Sequence, residues 1–235
     1  MFPASHADQT LVSGPAAVEQ PAARPAAHPA YCPPLWYSIA ERLVSLGVLI
    51  VTAPLIVTLM VMIRIESPGS PLFVQDRIAL GARRPFRFAK LRTMYSDART
   101  RFPELYDFAF VGKRHQDIKL SLLEDPRVTP LGRFLRRTSL DELPNLWHVV
   151  TGEMRLVGPR PELWDMLPHY DAQTLRKFAV KPGITGYAQV HGRGDLSFAE
   201  TVAFDLRYVE EASLGTDIRC LRETIGAVLN ARGAH

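Results

Sequence analysis

The chain has 235 residues, 47% of them hydrophobic, and a formal net charge of +4. Residues 64–160 contain 18 basic and 11 acidic residues, a net of +7, so an anionic partner such as a phosphate, a nucleotide or a lipid headgroup is expected there. No zinc-finger spacing or other nucleic-acid-binding motif accompanies this charge, which argues against nucleic acid as a partner. The two distant cysteines, Cys32 and Cys220, indicate free thiols in a reducing compartment.

The N-terminal part of the chain predicts a tail followed by a membrane segment. Residues 1–35 are dominated by proline and alanine, and we expect this tail to be disordered because it carries too few large apolar groups. Within residues 36–64, the run from Leu43 to Ile63 has 21 residues without a charge and is bracketed by Arg42 and Arg64. A helix of that length covers about 30 Å, which is enough to cross a bilayer.

Pro54 lies in the middle of this apolar run and predicts a kink or a break, since proline removes one backbone donor and clashes with the preceding turn. Two topologies are open. A kinked span places its ends on opposite sides of the bilayer, whereas a re-entrant helix-break-helix returns both ends to one face. A buried core helix of a soluble protein is a third interpretation, disfavoured because such helices rarely run 21 residues without a charge.

Residues 65–235 are expected to form a compact α/β domain, mostly α-helical with short strands, and with amphipathic helices at the membrane interface. The apolar stripe Ile218, Leu221, Ile225 and Val228 is typical of a core face, with membrane contact as the alternative. The predicted elements are extended segments at Leu72–Gln75 and Phe86–Phe88, helix within Phe102–Leu123, helices at Leu131–Arg137 and Pro144–Val150, a turn at Lys181–Gly183, a strand at Thr185–Val190, and helices at Phe198–Glu211 and Asp217–Leu229.

Asp141 and Glu142 form an adjacent acidic pair that suits phosphoryl transfer. One carboxylate can attack phosphorus, and the other can hold a divalent cation that bridges the phosphates. A purely local role is the alternative, because Ser139 and Glu142 fit a helix capping box. Placing Pro144 at the first helical position instead leaves both acids just ahead of the helix, facing its positive end.

An attacking carboxylate is repelled by an anionic substrate unless cations screen the repulsion. Each cation alone is typical of a solvated surface charge, but several of them cluster near the acidic pair in sequence. The candidate phosphate-binding residues are Arg136, Arg137, Arg160, Lys90 and Arg92. His148 and His191 are interpreted as hydrogen-bonded polar residues rather than as bases.

Six motifs occur in order along residues 38–220, and together they resemble the bacterial sugar transferase family, the polyprenol-phosphate sugar-1-phosphate transferases. With one membrane segment, the chain is similar to the minimal monotopic members. The motifs are SPG (67–69), LFVQDR (72–77), FAKLRTM (88–94), DPRVTPLGRFLRRTSLDELPNLW (125–147), GEMRLVGPRPE (152–162) and KPGITGYAQV (181–190).

The resemblance implies transfer of a sugar-1-phosphate from a UDP-sugar to undecaprenyl phosphate in the lipid bilayer, with release of UMP. It implies a covalent phosphosugar on Asp141, Mg²⁺ held by Glu142, and Arg136 and Arg160 near the phosphates. It further implies a membrane helix broken at Pro54 and a catalytic domain on the cytoplasmic face of the bacterial inner membrane. Whether the protein forms a homodimer stays open.

The chain departs from the family pattern at several positions. The Lys-Arg-x-x-Asp motif that often opens the membrane segment reads Glu41-Arg42-Leu43-Val44-Ser45, and GDMS reads Gly152-Glu153-Met154-Arg155. The residue usually found as asparagine is His148. Two other functions are compatible with a cation-rich membrane protein: a lipid pyrophosphate hydrolase, in which water is the acceptor, and a non-catalytic adaptor that binds anionic lipid.

Overall fold

The computed structural model describes residues 31–82, 84–105, 125–192 and 196–229. It is mostly helical with four short strands in this part of the chain, as predicted. The helices are α1 (Leu35–Glu66), α2 (Ala98–Arg101), α3 (Pro130–Thr138), α4 (Leu146–Thr151), α5 (Tyr187–His191), α6 (Phe198–Glu211) and α7 (Leu214–Leu229). The strands are β1 (Leu72–Ile78), β2 (Pro85–Leu91), β3 (Arg155–Val157) and β4 (Gly183–Thr185).

The strands form two separate pairs. β1 and β2 are an antiparallel hairpin in which Phe73 lies opposite Lys90 and Arg77 lies opposite Phe86. Side chains alternate along a strand, so one face of this hairpin carries both Arg77 and Lys90. β3 and β4 pair in parallel, with Val157 opposite Thr185.

Helix α1 runs without interruption through Pro54, so the predicted break into two helices is wrong at the level of secondary structure. Thr52 and Thr58, one on each side of Pro54, donate hydroxyl hydrogen bonds of 2.7 and 2.9 Å to the carbonyls of Val48 and Pro54. Only 11% of the most apolar window of this helix is buried, which argues against a core helix of a soluble protein.

Both ends of α1 pack on the same globular body. Near the N-terminal end, the Glu41 carboxylate accepts a hydrogen bond from Arg155 Nε at 3.2 Å. Near the C-terminal end, Leu59 and Ile63 are buried in a cluster with Leu91 and Leu135. The residues between these contacts are largely exposed, among them Ile50 at 66% and Val51 at 80%. Both ends of α1 therefore contact one body, while the stretch between them is exposed.

Two other sequence predictions need correction. The strand predicted at Thr185–Val190 is instead the end of β4 followed by α5; Gly186 lies between them so close to the Gly158 carbonyl that an added Cβ would be 2.2 Å from its oxygen. Of the α7 stripe, Ile218 and Ile225 are 49% and 60% exposed, so they do not form a core face. Asp217 and Cys220 are buried on this helix instead. The predicted helix at Phe102–Leu123 lies mostly outside the described residues.

We predict that the two ends of α1 are on the same side of the membrane. Cys32 is exposed just before α1 and Cys220 is buried, so an impermeant thiol reagent should report on Cys32 alone. In cells with an intact cytoplasmic membrane, Cys32 should stay unlabelled, as should a cysteine introduced by Thr100→Cys in a Cys32→Ser background. Both should react once the membrane is opened, which proves that they are accessible. Labelling of Cys32 alone in intact cells would mean that α1 spans the bilayer.

Candidate active site

The acidic pair lies on a 3-10 helix, Leu140–Asn145, between α3 and α4. Helix α3 begins at a side-chain cap, in which the Thr129 hydroxyl accepts a hydrogen bond from Gly132 N at 2.9 Å. It ends where Ser139 adopts a left-handed conformation with φ of 57°. The chain turns there and packs Asp141 and Glu142 against β2, leaving Asp141 only 5% exposed.

The capping-box interpretation is wrong. Ser139 makes no side-chain capping bond at the start of the 3-10 helix. The Glu142 carboxylate is instead paired with Arg160, whose Nη2 lies 2.7 Å from Glu142 Oε1. Pro144 does not begin a helix either, since it lies inside the 3-10 helix and α4 starts at Leu146. The acids nevertheless precede α4, as expected.

Three of the predicted cations converge on the acidic pair from three different elements. Lys90 extends from β2, Arg136 from α3, and Arg160 from the loop that follows β3. Each of them acts electrostatically on Asp141. The Arg136 side chain is oriented by a 3.0 Å hydrogen bond from its Nε to the Thr93 hydroxyl. These three residues therefore lie near the acidic pair, and their binding of phosphate stays a prediction.

The environment separates the two acids electrostatically. Burial, together with the neighbouring charge of Glu142, raises the pKa of Asp141 to about 6, against the opposing effect of Lys90, Arg160 and Arg136. Burial alone would also raise the pKa of Glu142, but the charge and hydrogen bond of Arg160, with Lys90 and Arg77, hold it below its usual value. Asp141 is thus ionised at neutral pH yet weakly stabilised as an anion, which suits a nucleophile.

Lys90 also has a shifted pKa. Burial and the neighbouring cations Arg160 and Arg136 lower the pKa of Lys90 to about 8, although Asp141 and Glu142 oppose the shift. The positive charge of Lys90 is not fully balanced by the neighbouring carboxylates. Lys90 can therefore bind an incoming phosphate.

Two predicted phosphate-binding residues do not join this group. Arg92 donates hydrogen bonds to the Ser67 carbonyl and, at 3.2 Å, to the Pro68 carbonyl, where it holds the chain just after α1. Arg137 is exposed at the end of α3. The geometry gives Arg92 a structural task and lends no support to a phosphate contact for either residue.

Arg77 belongs to the site, but the sequence interpretation missed it. Its charge acts on Glu142, and it lies close enough to Arg160 to lower its own pKa. An isolated arginine on a strand is typical of a solvated surface charge, so its type gave no signal. The hairpin register would have given one, because pairing β1 with β2 places Arg77 and Lys90 on the same face.

The histidines are hydrogen-bonded, as predicted. His148 Nδ1 lies 2.7 Å from Glu153 Oε2, and His148 Nε2 accepts the backbone N–H of Ala89 at 3.3 Å. The ring also stacks on Phe88 with 6.0 Å between centroids. His148 thereby holds β2 next to Lys90. His191 Nδ1 lies 2.9 Å from the Tyr187 carbonyl oxygen.

The acidic pair fits one kind of metal site. Within the described residues, no group of three or more histidine, cysteine, aspartate or glutamate side chains could hold a metal ion by itself. Magnesium does not need such a group, because it is often bound by one or two carboxylates together with waters and substrate phosphates. Glu142, with Asp141 beside it, supplies this donor set.

A family model described as bacterial sugar transferase matches residues 35–231, and the chain belongs to that family. A UDP-galactose-lipid carrier transferase from Erwinia amylovora is 39% identical over 81% of this chain and 40% of its own length. The exopolysaccharide production protein ExoY from Sinorhizobium fredii is 36% identical over 83% of this chain and 86% of its own length. A UDP-glucose:undecaprenyl-phosphate glucose-1-phosphate transferase from Caulobacter vibrioides is 36% identical over 78% of this chain and 66% of its own length. The chain thus spans less than half of the Erwinia protein and most of ExoY.

We predict that Asp141→Asn stabilises the protein at neutral pH. Because folding raises the pKa of Asp141 to about 6, the carboxylate costs stability above that pH, and the cost disappears below pH about 4. The gain should be on the order of 1–3 kcal/mol at pH 7.5 and should shrink towards pH 4. It can be measured by denaturant unfolding in detergent with chelator present.

Asp217→Asn is the matched control, because Asp217 is equally buried but lies 2.7 Å from Arg155 Nη2. This variant should be destabilised, since it removes one of the two carboxylates that pair with the buried Arg155. An Asp141→Asn variant no more stable than the wild type at pH 7.5 would contradict the assignment of Asp141 as a strained anion.

Proposed function

We propose that this protein transfers a sugar-1-phosphate from a UDP-sugar to a polyprenol phosphate, releasing UMP, through a covalent phosphosugar on Asp141. The observation that carries the proposal is the acidic pair of the buried Asp141 and the half-buried Glu142, with Lys90, Arg136 and Arg160 close to it. The names of the Erwinia and Caulobacter relatives describe sugar transfer from UDP-sugars to lipid carriers, which supports the same substrate classes here.

In the first step, an Asp141 carboxylate oxygen attacks the phosphorus that bears the sugar. The bond from this phosphorus to the oxygen shared with the uridine phosphate breaks, and that oxygen leaves with UMP. In the second step, a phosphate oxygen of the polyprenol phosphate attacks the same phosphorus. The bond to Asp141 then breaks, so the carboxylate is regenerated and the lipid carries a diphosphate sugar.

The cations make both attacks electrostatically feasible. Lys90, Arg136 and Arg160 bring three positive charges to the two negative charges of the acidic pair, so the site keeps a net positive charge for the phosphates. Such cations stabilise the charge that is spread over phosphoryl oxygens in the transition state. Arg160 offers a planar fork that suits two phosphate oxygens at once.

Glu142 is the residue that would hold magnesium, which supplies charge neutralisation on the diphosphate when bound. Arg160 pairs with Glu142 at 2.7 Å. Arg160 therefore keeps this carboxylate ionised and oriented.

The membrane helix fits this reaction because the acceptor is a lipid. Helix α1 is the one helix of the described residues that is long and apolar enough for a membrane. Its last residue, Glu66, accepts a hydrogen bond from the backbone N–H of Leu131 at 3.0 Å, at the start of the helix that carries Arg136. We place the protein in the bacterial inner membrane with its catalytic body on the cytoplasmic face, where nucleotide sugars are available.

We predict that Asp141→Asn abolishes UMP release, by at least about a thousandfold, because an amide cannot act as the nucleophile. The wild type incubated with UDP-sugar alone should gain the mass of a sugar phosphate on the peptide that contains Asp141. Mass spectrometry and a UMP assay check both statements. Asp97→Asn, at an exposed surface pair, should leave the activity unchanged.

Omitting the lipid acceptor separates this function from its rivals. A hydrolase would release UMP at full turnover without polyprenol phosphate, and an adaptor would release none under any condition. Full activity of Asp141→Asn would refute the covalent intermediate.

We predict that activity depends on magnesium through Glu142. Chelator should abolish UMP release, and added magnesium should restore it. Glu142→Gln should need at least about tenfold more magnesium or lose turnover, since the amide is a weaker ligand for a hard cation. A magnesium titration of initial rates measures this shift. An enzyme that is indifferent to chelation would exclude this role for Glu142.

A further inference from the structure

The loop that carries Arg160 is tied down on both sides. On one side, the Gly158 backbone N–H donates to the Thr185 carbonyl at 2.8 Å, and Gly183 donates to the Pro159 carbonyl at 2.9 Å. On the other side, the backbone N–H of Ile78 donates to the Glu162 carbonyl at 2.8 Å. Arg160 stands at the apex between these two attachments. Its reach to Glu142 therefore depends on where both sides of the loop are held.

Arg77 is the side chain that fixes the β1 side of this loop. Its Nη1 donates to the Pro161 carbonyl at 2.9 Å, and its Nη2 donates to Gln75 Oε1 at 3.3 Å. The guanidinium also lies over the Phe88 ring, 5.3 Å from the centroid. These contacts use the planar fork of arginine, which a lysine ammonium cannot reproduce.

The position of Arg77 is unfavourable for stability alone. It is a half-buried cation next to Arg160, a second cation, and its Nε is buried without a hydrogen-bond partner. Burial and the charge of Arg160 lower the pKa of Arg77 to about 10. Unsatisfied donors and like charges are costs that a purely structural position would avoid.

The far end of the loop is held by a second buried charge. Lys177 is fully buried, with its Nζ 2.7 Å from Asp205 Oδ2 and 3.2 Å from Glu162 Oε1. Glu162 is in turn one of the charges that act on Arg77. The loop thus lies between two cations, and one of them, Arg77, also acts electrostatically on Glu142.

We propose that Arg77 is a positioning residue for the transfer reaction. By binding the Pro161 carbonyl, it fixes the position from which Arg160 contacts Glu142 and the substrate phosphate. The expected effect of Arg77 on the reaction rate rests on the proposed function. Its expected effect on the position of the loop does not. Arg77 acts through Arg160 and needs no contact with substrate.

The kinetic test is a double-mutant cycle of Arg77→Lys and Arg160→Lys, measured by UMP release. Arg77→Lys keeps the charge but loses the fork, and should lower kcat by about tenfold to a hundredfold. If Arg77 acts through Arg160, the double variant should be no slower than Arg160→Lys alone. Arg87→Lys, on the exposed side of the same hairpin, should behave as the wild type. Gln75→Leu removes only the Nη2 partner and should give a smaller loss in the same direction.

The structural test needs no activity. Hydrogen–deuterium exchange of the backbone amides of Ile78, Gly158 and Gly183, whose hydrogen bonds hold the two sides of the loop, should be faster in Arg77→Lys than in the wild type or Arg87→Lys, at the same midpoint of thermal unfolding. If the wild type releases no UMP, the proposed function fails, and exchange alone decides whether Arg77 holds the loop. Unchanged exchange overturns the positioning role. So does wild-type activity of Arg77→Lys, or losses that add fully in the double variant.

Discussion

The ion pair between Glu142 and Arg160, 2.7 Å between Oε1 and Nη2, joins two parts of the chain that lie 18 residues apart in sequence. Glu142 is on the turn after α3, and Arg160 is on the loop after β3. The attraction between the two charges is stronger in these partly buried surroundings than on an open surface. Burial also means that the other charges near the pair must be balanced by opposite charges. Asp141 lies on one side of this ion pair and the other cations lie on the other side. The geometry of the site therefore depends on the ion pair.

The membrane helix is joined to this framework at both ends by polar contacts. Arg155, a departure from the family pattern, is buried and bonded to Glu41, which is itself a departure at the opening of the membrane segment. Arg155 also reaches Asp217 on α7, 2.7 Å away. Breaking such a buried pair by removing one partner leaves an unpaired charge and is strongly destabilising. The two departures therefore form one contact, which explains how this chain tolerates both of them.

The sequence was sufficient for the parts of the site that follow from local pattern. The Thr129-Pro130 start, the helix after it and the acidic pair are within one short segment, and they are where the motif placed them. The sequence was not sufficient for arginines whose partners are distant along the chain. Arg92 and Arg160 both come from family motifs, yet Arg92 bonds to carbonyls after α1 while Arg160 bonds to Glu142. Arg77 was missed for the same reason, because only strand pairing shows what it faces.

The prediction that the apolar stripe of α7 forms a core face was wrong, because the buried polar contacts of Asp217 override the apolar periodicity of this helix.

Asp141 and Glu142 carry the same functional group, and the different roles proposed for them come from their neighbours. Glu142 has a direct hydrogen bond to Arg160, which keeps it anionic and its oxygens oriented. Asp141 is influenced by the same cations at longer range, while burial and the adjacent Glu142 charge disfavour its ionised form. An anion with poor stabilisation by the protein gains more when it forms a bond to phosphorus, whereas an anion with a fixed partner is better placed to hold a cation. In the proposed reaction, a single turn of chain thus supplies both the nucleophile and the metal ligand, and which acid takes which role depends on the cation that the fold places next to it.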